Sequence, residues 1–213
     1  VQRTGYYVPA GQPVTVTRRH QESRSSWDEE DTEGDFLTAW IDHGMAPSNA
    51  SYEYMLVVRA AAEAMEKLAS EPPYRILQQD RDAHIVHHKD TGRWACVFFA
   101  SQDVAAHEAD EQVLPVSSVD HPCLIMAEPG KGGRLDLSVA DPDLNLVDDV
   151  NQPKALRVVL RGAWRLQKAK ATVCQWELPD APEDVRVLSS GAGETVLEIV
   201  CRHGASYDLT VTG

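Results

Sequence analysis

The chain has 213 residues, with 20 Lys and Arg against 33 Asp and Glu, a formal charge of −13. Hydrophobic residues make up 43% and charged residues 25%, globular proportions that exclude wholesale disorder. A partner of nucleic acid or of an anionic membrane needs a basic excess to neutralise phosphates, so general binding to either is excluded as the main role. Any acidic ligand must be met by a local basic patch or by something outside the chain.

The first residues, Val1-Gln2-Arg3-Thr4-Gly5, read as the start of a strand. The basic-then-apolar pattern of a secretory signal is not seen, and no apolar run approaches the roughly 20 residues that span a bilayer. The chain is therefore expected to be soluble as it stands, either a mature product or a piece of something longer. Val14 to Arg19 alternate with period two and are rich in β-branched residues. Ser23 to Asp35 has six acids between Asp28 and Asp35 and no apolar period, and reads as a solvated loop. Phe36 to Asp42 and Tyr52 to Val58 are two further strands. Residues 60–71 are rich in Ala, Glu and Met. Within them Ala61, Ala64, Met65 and Leu68 form one stripe at helical spacing. Pro72-Pro73 ends this helix, because neither residue donates a helical hydrogen bond. The pair marks a domain boundary, with 1–73 on one side and 74–213 on the other.

Beyond it the strands resume. Tyr74–Gln79, Ala83–His88, Arg93–Ala100, Val113–Ser117, Cys123–Glu128 and Arg134–Ala140 come first. Ala155–Arg161, Thr172–Leu178, Val185–Leu188, Glu194–Cys201 and Ser206–Val211 come next. Turn signals separate them at Asp90-Thr91-Gly92, Gly130 to Gly133, Asp141-Pro142-Asp143, Ser189 to Gly193 and His203-Gly204. Many short strands at this spacing predict an antiparallel β-sandwich. Residues 1–73 have too few strands to close one. They are expected to complete a sheet whose other strands lie upstream or on another chain.

The common catalytic signatures are missing: no G-x-S-x-G, P-loop, G-x-G-x-x-G or H-E-x-x-H occurs. His87 and His88 are adjacent on a strand and so face opposite sides, which argues against a shared metal. The acids Asp28, Glu29, Glu30, Asp31 and Glu33 lack EF-hand spacing, and Asp141 to Asn145 reads as an Asx-type turn. Cys96, Cys123, Cys174 and Cys201 each lie in an apolar, strand-like run without any C-x-x-C. Four cysteines allow three pairings, but the plainer reading is buried free thiols acting as small hydrophobes. Arg18-Arg19-His20 is the one concentrated basic spot. On a strand, Arg18 and His20 share a face that could hold a carboxylate or sulfate, unless the acids further along the chain engage the arginines instead. The five tryptophans (Trp27, Trp40, Trp94, Trp164, Trp176) offer sugar-stacking surfaces or core packing.

One stretch is distinctive. Trp40-Ile41-Asp42-His43-Gly44, then Pro47, then Ala50-Ser51-Tyr52-Glu53-Tyr54-Met55, resembles the W-I-D-H-G-x-x-P-x-x-A-S-Y-E-Y-M stretch of chondroitinase ABC-type enzymes in polysaccharide lyase family eight. Val14 to Gln21, Tyr74 to Ile85 and Val139 to Leu146 resemble flanking pieces of the same family. The resemblance implies a helical toroid, a central β-supersandwich and a C-terminal β-sandwich, of which this chain would hold the end of the second (1–73) and all of the third (74–213).

Such enzymes cleave uronic-acid polysaccharides by β-elimination. The carboxylate is neutralised, the C5 proton is removed by a base, and an acid protonates the leaving oxygen. In the family a Tyr, a His and an Arg of the toroid and a Glu of the central domain do this. None of these motifs has a counterpart here, so no residue is assigned as catalytic. His43 and Tyr54 are expected to serve the β framework. The expectation is a supporting fragment of a secreted or periplasmic glycosaminoglycan lyase, inactive alone, partnered by the upstream catalytic part and an acidic polysaccharide. No cofactor or metal is expected. Arg18, Arg19 and His20 are the candidate carbohydrate contacts. A stand-alone carbohydrate-binding module is the alternative.

Overall fold

The computed structural model describes residues 4–27, 30–174, 176–178, 181–191 and 193–213. The strand start read at Val1–Arg3 and the acids Asp28 and Glu29 lie outside them. The chain divides into two compact units, Val1–Pro72 and Pro73–Gly213.

The first unit contains β1 (Thr4–Tyr7), β2 (Val14–Arg24), β3 (Asp31–Ile41), β4 (Met55–Val58) and α1 (Ala62–Ser70). β1 pairs with β4, and β2 with β3, as two separate antiparallel pairs. The β2–β3 pairing is continuous from Val14↔Ile41 to Arg24↔Asp31. The segment expected to be a loop is therefore mostly strand, and its acids from Asp31 to Asp35 are ladder residues. Local composition argued for a loop, but backbone pairing with β2 continues through the acidic run, with Arg24 opposite Asp31 and His20 opposite Asp35. Helix α1 is shorter than the 60–71 expected. Ala61 is its N-cap, extended at ψ 152°, and has no side chain able to cap the first turn. Gly5 allows β1 to approach the helix, since a Cβ there would collide with the Met65 side chain of α1 and come within 2.8 Å of the Ala60 Cβ just before it. None of the described residues of this unit is fully buried.

The second unit is a sandwich. Its strands are β5 (Tyr74–Gln79), β6 (Ala83–His88), β7 (Arg93–Phe98), β8 (Gln102–Asp103), β9 (Glu108–Ala109), β10 (Gln112–Val113), β11 (Val116–Val119), β12 (Cys123–Pro129) and β13 (Arg134–Ala140). After these come β14 (Leu146–Val147), β15 (Val150–Asn151), β16 (Lys154–Arg161), β17 (Arg165–Val173), β18 (Trp176–Leu178), β19 (Val185–Ser190), β20 (Glu194–Cys201) and β21 (Ser206–Thr212). Eight strands form one antiparallel sheet in the order β18-β17-β21-β13-β12-β7-β6-β5. Five form the other, in the order β19-β20-β16-β11-β8. Burial obeys the period-two pattern: Leu135, Leu137 and Val139 of β13 are buried while Arg134, Asp136 and Ser138 are not. The core includes Ile85, Trp94, Phe98, Ile125 and Leu209 of the larger sheet with Leu156, Leu160, Leu197 and Ile199 of the smaller. At about 1.5–3 kcal/mol for each large apolar side chain buried, this interface is the main stabilising term of the unit.

Several features depart from the sequence reading. Val113–Ser117 is not one strand but is split between β10 and β11 at Leu114-Pro115. Thr172–Leu178 is not one strand: β17 ends at Val173, Cys174 turns the chain at φ 55°, and β18 starts at Trp176. β17 also begins earlier, at Arg165, over Arg-Leu-Gln-Lys-Ala-Lys-Ala. A bulge between Leu166 and Lys168 breaks the alternation, and Lys and Ala have little β preference, so no strand signal was present there. All four cysteines are free, but Cys174 is exposed while the other three are buried. Asp141 does form the expected turn, accepting the Asp143 N–H at 2.9 Å and an ion pair from Lys154 at 3.2 Å.

Tyr207 is fully buried and donates its hydroxyl to the Val200 carbonyl at 2.8 Å. Burial, reinforced by Asp184, pushes its phenol up to about 12. Burial likewise raises the Cys96 and Cys201 thiols to about 12. All three groups lose their protons more readily when unfolded, so the stability they contribute is fully present below the unfolded values and is lost as pH rises toward 12. The urea midpoint of the second unit is therefore expected to fall between pH 8 and pH 11. A thiol reagent is expected to label Cys174 promptly and the other three only on unfolding. Leu156→Ala is expected to cost about 2–5 kcal/mol in urea unfolding. Leu37→Ala, at a site 70% exposed, is expected to cost less than about 0.5 kcal/mol in this chain.

Candidate functional site

The β2–β3 pair positions the candidate carbohydrate contacts. Cross-strand partners share a face, so Arg18, His20, Glu22 and Arg24 line up with Leu37, Asp35, Glu33 and Asp31. Arg19 lies on the opposite face, across from Phe36. The three residues therefore do not converge: Arg18 and His20 form a pair and Arg19 stands apart. Arg18 makes an ion pair with Asp35 at 3.5 Å. The His20 ring lies 3.5 Å from a carboxylate oxygen on each side, Glu33 at Nε2 and Asp35 at Nδ1. All these side chains are more than half exposed, so each pair contributes about 0–1 kcal/mol.

The face around His20 is more acidic than the run Arg18-Arg19-His20 suggests. Glu22 and Glu33 are directly opposite each other, an unfavourable like-charge pairing. One ligand atom each from His20, Glu22 and Glu33 lies within 4.8 Å of the others, and these three could close on a cation. Sequence reasoning missed this set because it is assembled across the ladder by residues eleven and more apart. The only signal was the register itself, which was not readable.

The distinctive stretch after β3 is organised by its backbone. Asp42 accepts the Gly44 N–H at 2.8 Å, and Gly44 adopts φ 73°, which favours glycine. This is why an Asp and a Gly are spaced as they are in Asp42-His43-Gly44. Gln12 then grips Glu53 twice, donating to its carbonyl at 2.8 Å and accepting its N–H at 2.9 Å. The segment is so held that the rings of His43, Tyr52 and Tyr54 form a file, with centroids 6.4 and 6.2 Å apart. Tyr52 and Tyr54 are over half exposed, and such rings can stack on a sugar as readily as they support a framework. The tryptophans are dispersed in role: Trp94 is in the core, Trp164 packs against the core, Trp40 is partly exposed on β3, and Trp27 and Trp176 are strongly exposed.

In the second unit, His87 Nδ1 lies 3.3 Å from Asp110, which also pairs with Arg75 at 2.9 Å. The pair looks like an acid–base dyad, but His87 is fully buried with its ring 4.4 Å from that of Trp94. No substrate reaches it, so its role is packing. His88 faces away from it, as adjacent strand residues must. Among the described residues, no helix is long and apolar enough to cross a membrane.

Two family models match in tandem. The polysaccharide lyase family 8 super-sandwich domain matches residues 1–69, and the family 8 C-terminal β-sandwich domain matches residues 75–147. The chain is 30% identical to a chondroitin sulfate ABC exolyase of Bacteroides thetaiotaomicron over 97% of its own length and 21% of that protein's. It is 30% identical to a chondroitin sulfate ABC endolyase of Proteus vulgaris over 76% of its own length and 16% of that protein's. In fold it is similar to the Streptomyces coelicolor A3 chondroitin AC lyase solved in complex with chondroitin sulphate, with a TM-score of 0.69 at 18% identity over 97% of this chain and 25% of that one. It is also similar to a Paenibacillus xanthan lyase, with a TM-score of 0.70 at 21% identity over 98% of this chain and 18% of that one. The chain thus spans about a fifth of the length of these curated relatives. Two successive domains of one family, matched in order on the two structural units, place the chain in polysaccharide lyase family 8, among the chondroitinase ABC-type lyases.

Proposed function

We propose that this chain is the C-terminal β portion of a longer, exported lyase that cleaves a glycosaminoglycan of the chondroitin or hyaluronan type by β-elimination. In this reading residues 1–73 end the central sandwich and 74–213 are the C-terminal domain. The chain buttresses a catalytic region carried elsewhere and supplies no proton-transfer group itself. The observation that carries the reading is the tandem match of two non-toroid domains over a chain one fifth as long as its relatives.

The physical state of the first unit supports it. The β2–β3 pair has Val16 and Leu37 exposed on one face and Phe36 and Trp40 on the other. Apolar residues on both faces belong to a strand pair covered on both sides, and upstream strands of the same protein are the natural cover. Arg18 lies directly opposite Leu37 and is covered with it in this reading, so an acidic sugar is left only the His20 end of the patch, where Glu33 and Asp35 already compete.

Incubation of the 213-residue chain with chondroitin sulfate and with hyaluronan is expected to produce no ultraviolet absorbance from unsaturated uronate. Sustained turnover would sink the supporting role. The longer protein that includes the upstream region is expected to turn over at least one of the two, and failure on both would remove the substrate class. In that longer protein Leu37→Ala is expected to become costly, at about 2 kcal/mol or more, because the side chain is then buried. An unchanged, negligible cost there would show that no upstream segment covers this face.

A further inference from the structure

The outer face of the eight-stranded sheet carries a shallow groove of about 290 Å³ across β12, β13, β21 and β17. The registers arrange its outward residues in rows. Lys168 faces Thr210, which faces Asp136; Lys170 faces Asp208, which faces Ser138; and Arg165 faces Thr212, which faces Arg134. The bulge in β17 has a specific consequence here. It turns Gln167 onto the same face as Lys168, where Gln167 donates to the Thr212 hydroxyl at 3.0 Å. One short stretch of β17 thus presents more polar side chains to this face of the sheet than regular alternation allows, a common use of bulges beside binding sites.

The charges sort into answered and unanswered ones. Asp136 accepts from Arg134 at 2.8 Å and from the Thr210 hydroxyl at 2.7 Å, and these bonds hold its carboxyl below the usual range. Glu128 is engaged by Arg93 at 3.0 Å. Among the described residues, Arg165, Lys168 and Lys170 of β17 are left without an ion pair; Lys170 lies opposite Asp208, and Glu177 lies opposite Thr172 further along the same strand. In a chain of charge −13, the unanswered cations of this face outnumber its unanswered carboxylates, beside the hydroxyls of Ser138 and Thr210 and the side chain of Met126.

We propose that this groove is a secondary binding site for an acidic saccharide, with Lys168 and Lys170 gripping its sulfate or carboxylate and Ser138, Thr210 and Asp208 meeting its ring hydroxyls. The acidic-saccharide chemistry rests on the lyase reading above, while the groove and its unpaired cations do not. The site lies on the C-terminal sandwich and would tether a long substrate chain while cleavage proceeds elsewhere.

The test is titration calorimetry of the 213-residue chain with a chondroitin sulfate tetrasaccharide, a hyaluronan tetrasaccharide and a neutral cello-oligosaccharide. The two acidic probes are expected to bind, the neutral one not, and affinity is expected to fall as salt rises. A stronger response to the sulfated probe would assign the lysines to sulfate, and equal responses would assign them to the uronate carboxylate. Lys168→Ala with Lys170→Ala is expected to weaken binding at least about tenfold, and Lys168→Arg with Lys170→Arg to retain it. No binding of the acidic probes at millimolar concentration, equal binding of the neutral probe, or full affinity in the double Ala variant would each overturn the proposal. So would binding lost instead with Arg18→Ala. If the longer protein turns over chondroitin sulfate while this chain does not bind it, the groove fails alone. If this chain binds while the longer protein cleaves neither polymer, the lyase reading fails and the groove stands.

Discussion

Everything ordered in the second unit depends on one dry interface between two antiparallel sheets. A β-sheet has two faces, and a stable domain must remove at least one of them from water. Here the larger sheet contributes residues such as Ile85, Trp94, Ile125, Leu137 and Leu209, and the smaller sheet answers with Leu156, Leu160, Leu197 and Ile199. Polar groups that fall on this interface are tolerated where they are partnered, as Tyr207 is by the Val200 carbonyl and Thr195 by the Gly162 carbonyl. The same alternation that buries one face leaves the other free. The outward residues of β12, β13, β21 and β17 are therefore available for recognition without cost to the core.

The first unit does not meet that constraint within this chain. Its two strand pairs and short helix are locally well formed: β2 and β3 pair over eleven residues, Gln12 staples Glu53, and Gly5 fits against Met65. None of its described residues is fully buried, and large side chains such as Leu37, Val58 and Tyr6 remain well exposed. Hydrogen bonding and turn chemistry give this unit its shape, but the hydrophobic term that stabilises a domain is small in it. The chain spans about a fifth of the length of the relatives it matches, which supports the proposal that strands outside it cover these faces.

Legibility tracked the range of the interaction involved. Strands with clean alternation and β-branched residues, such as Glu194–Cys201 and Arg134–Ala140, were readable to within a residue. The end of α1 ahead of Pro72-Pro73 and the Asp141 turn were readable because proline geometry and Asx hydrogen bonds are local. The strand at Asp31–Ile41 was only half legible, since its acidic first half is stabilised by partners on β2. β17 was not legible before Thr172, because a bulge spoils its period and Lys and Ala carry no strand preference. The candidate contacts behaved in the same way. Arg18 and His20 were placed on one face by strand geometry alone, but the carboxylates that engage them come from another strand. The groove residues Lys168 and Lys170 carried no local signal, since their significance lies in neighbours from β21 and β13 that are far away in sequence.

The charge of −13, the strand-rich pattern and the Trp40–Met55 stretch were determined by sequence alone, because each depends on composition or on residues close along the chain. Tertiary structure decided which cations have partners. Arg18 is answered by Asp35 and Arg134 by Asp136, while Lys168 and Lys170 are left over. It also decided that Cys174 is exposed, that His87 is sealed in the core and that Arg19 turns away from Arg18. Register is the common physical reason. A sheet brings together residues tens of positions apart, and a slip of one residue would move each side chain to the other face.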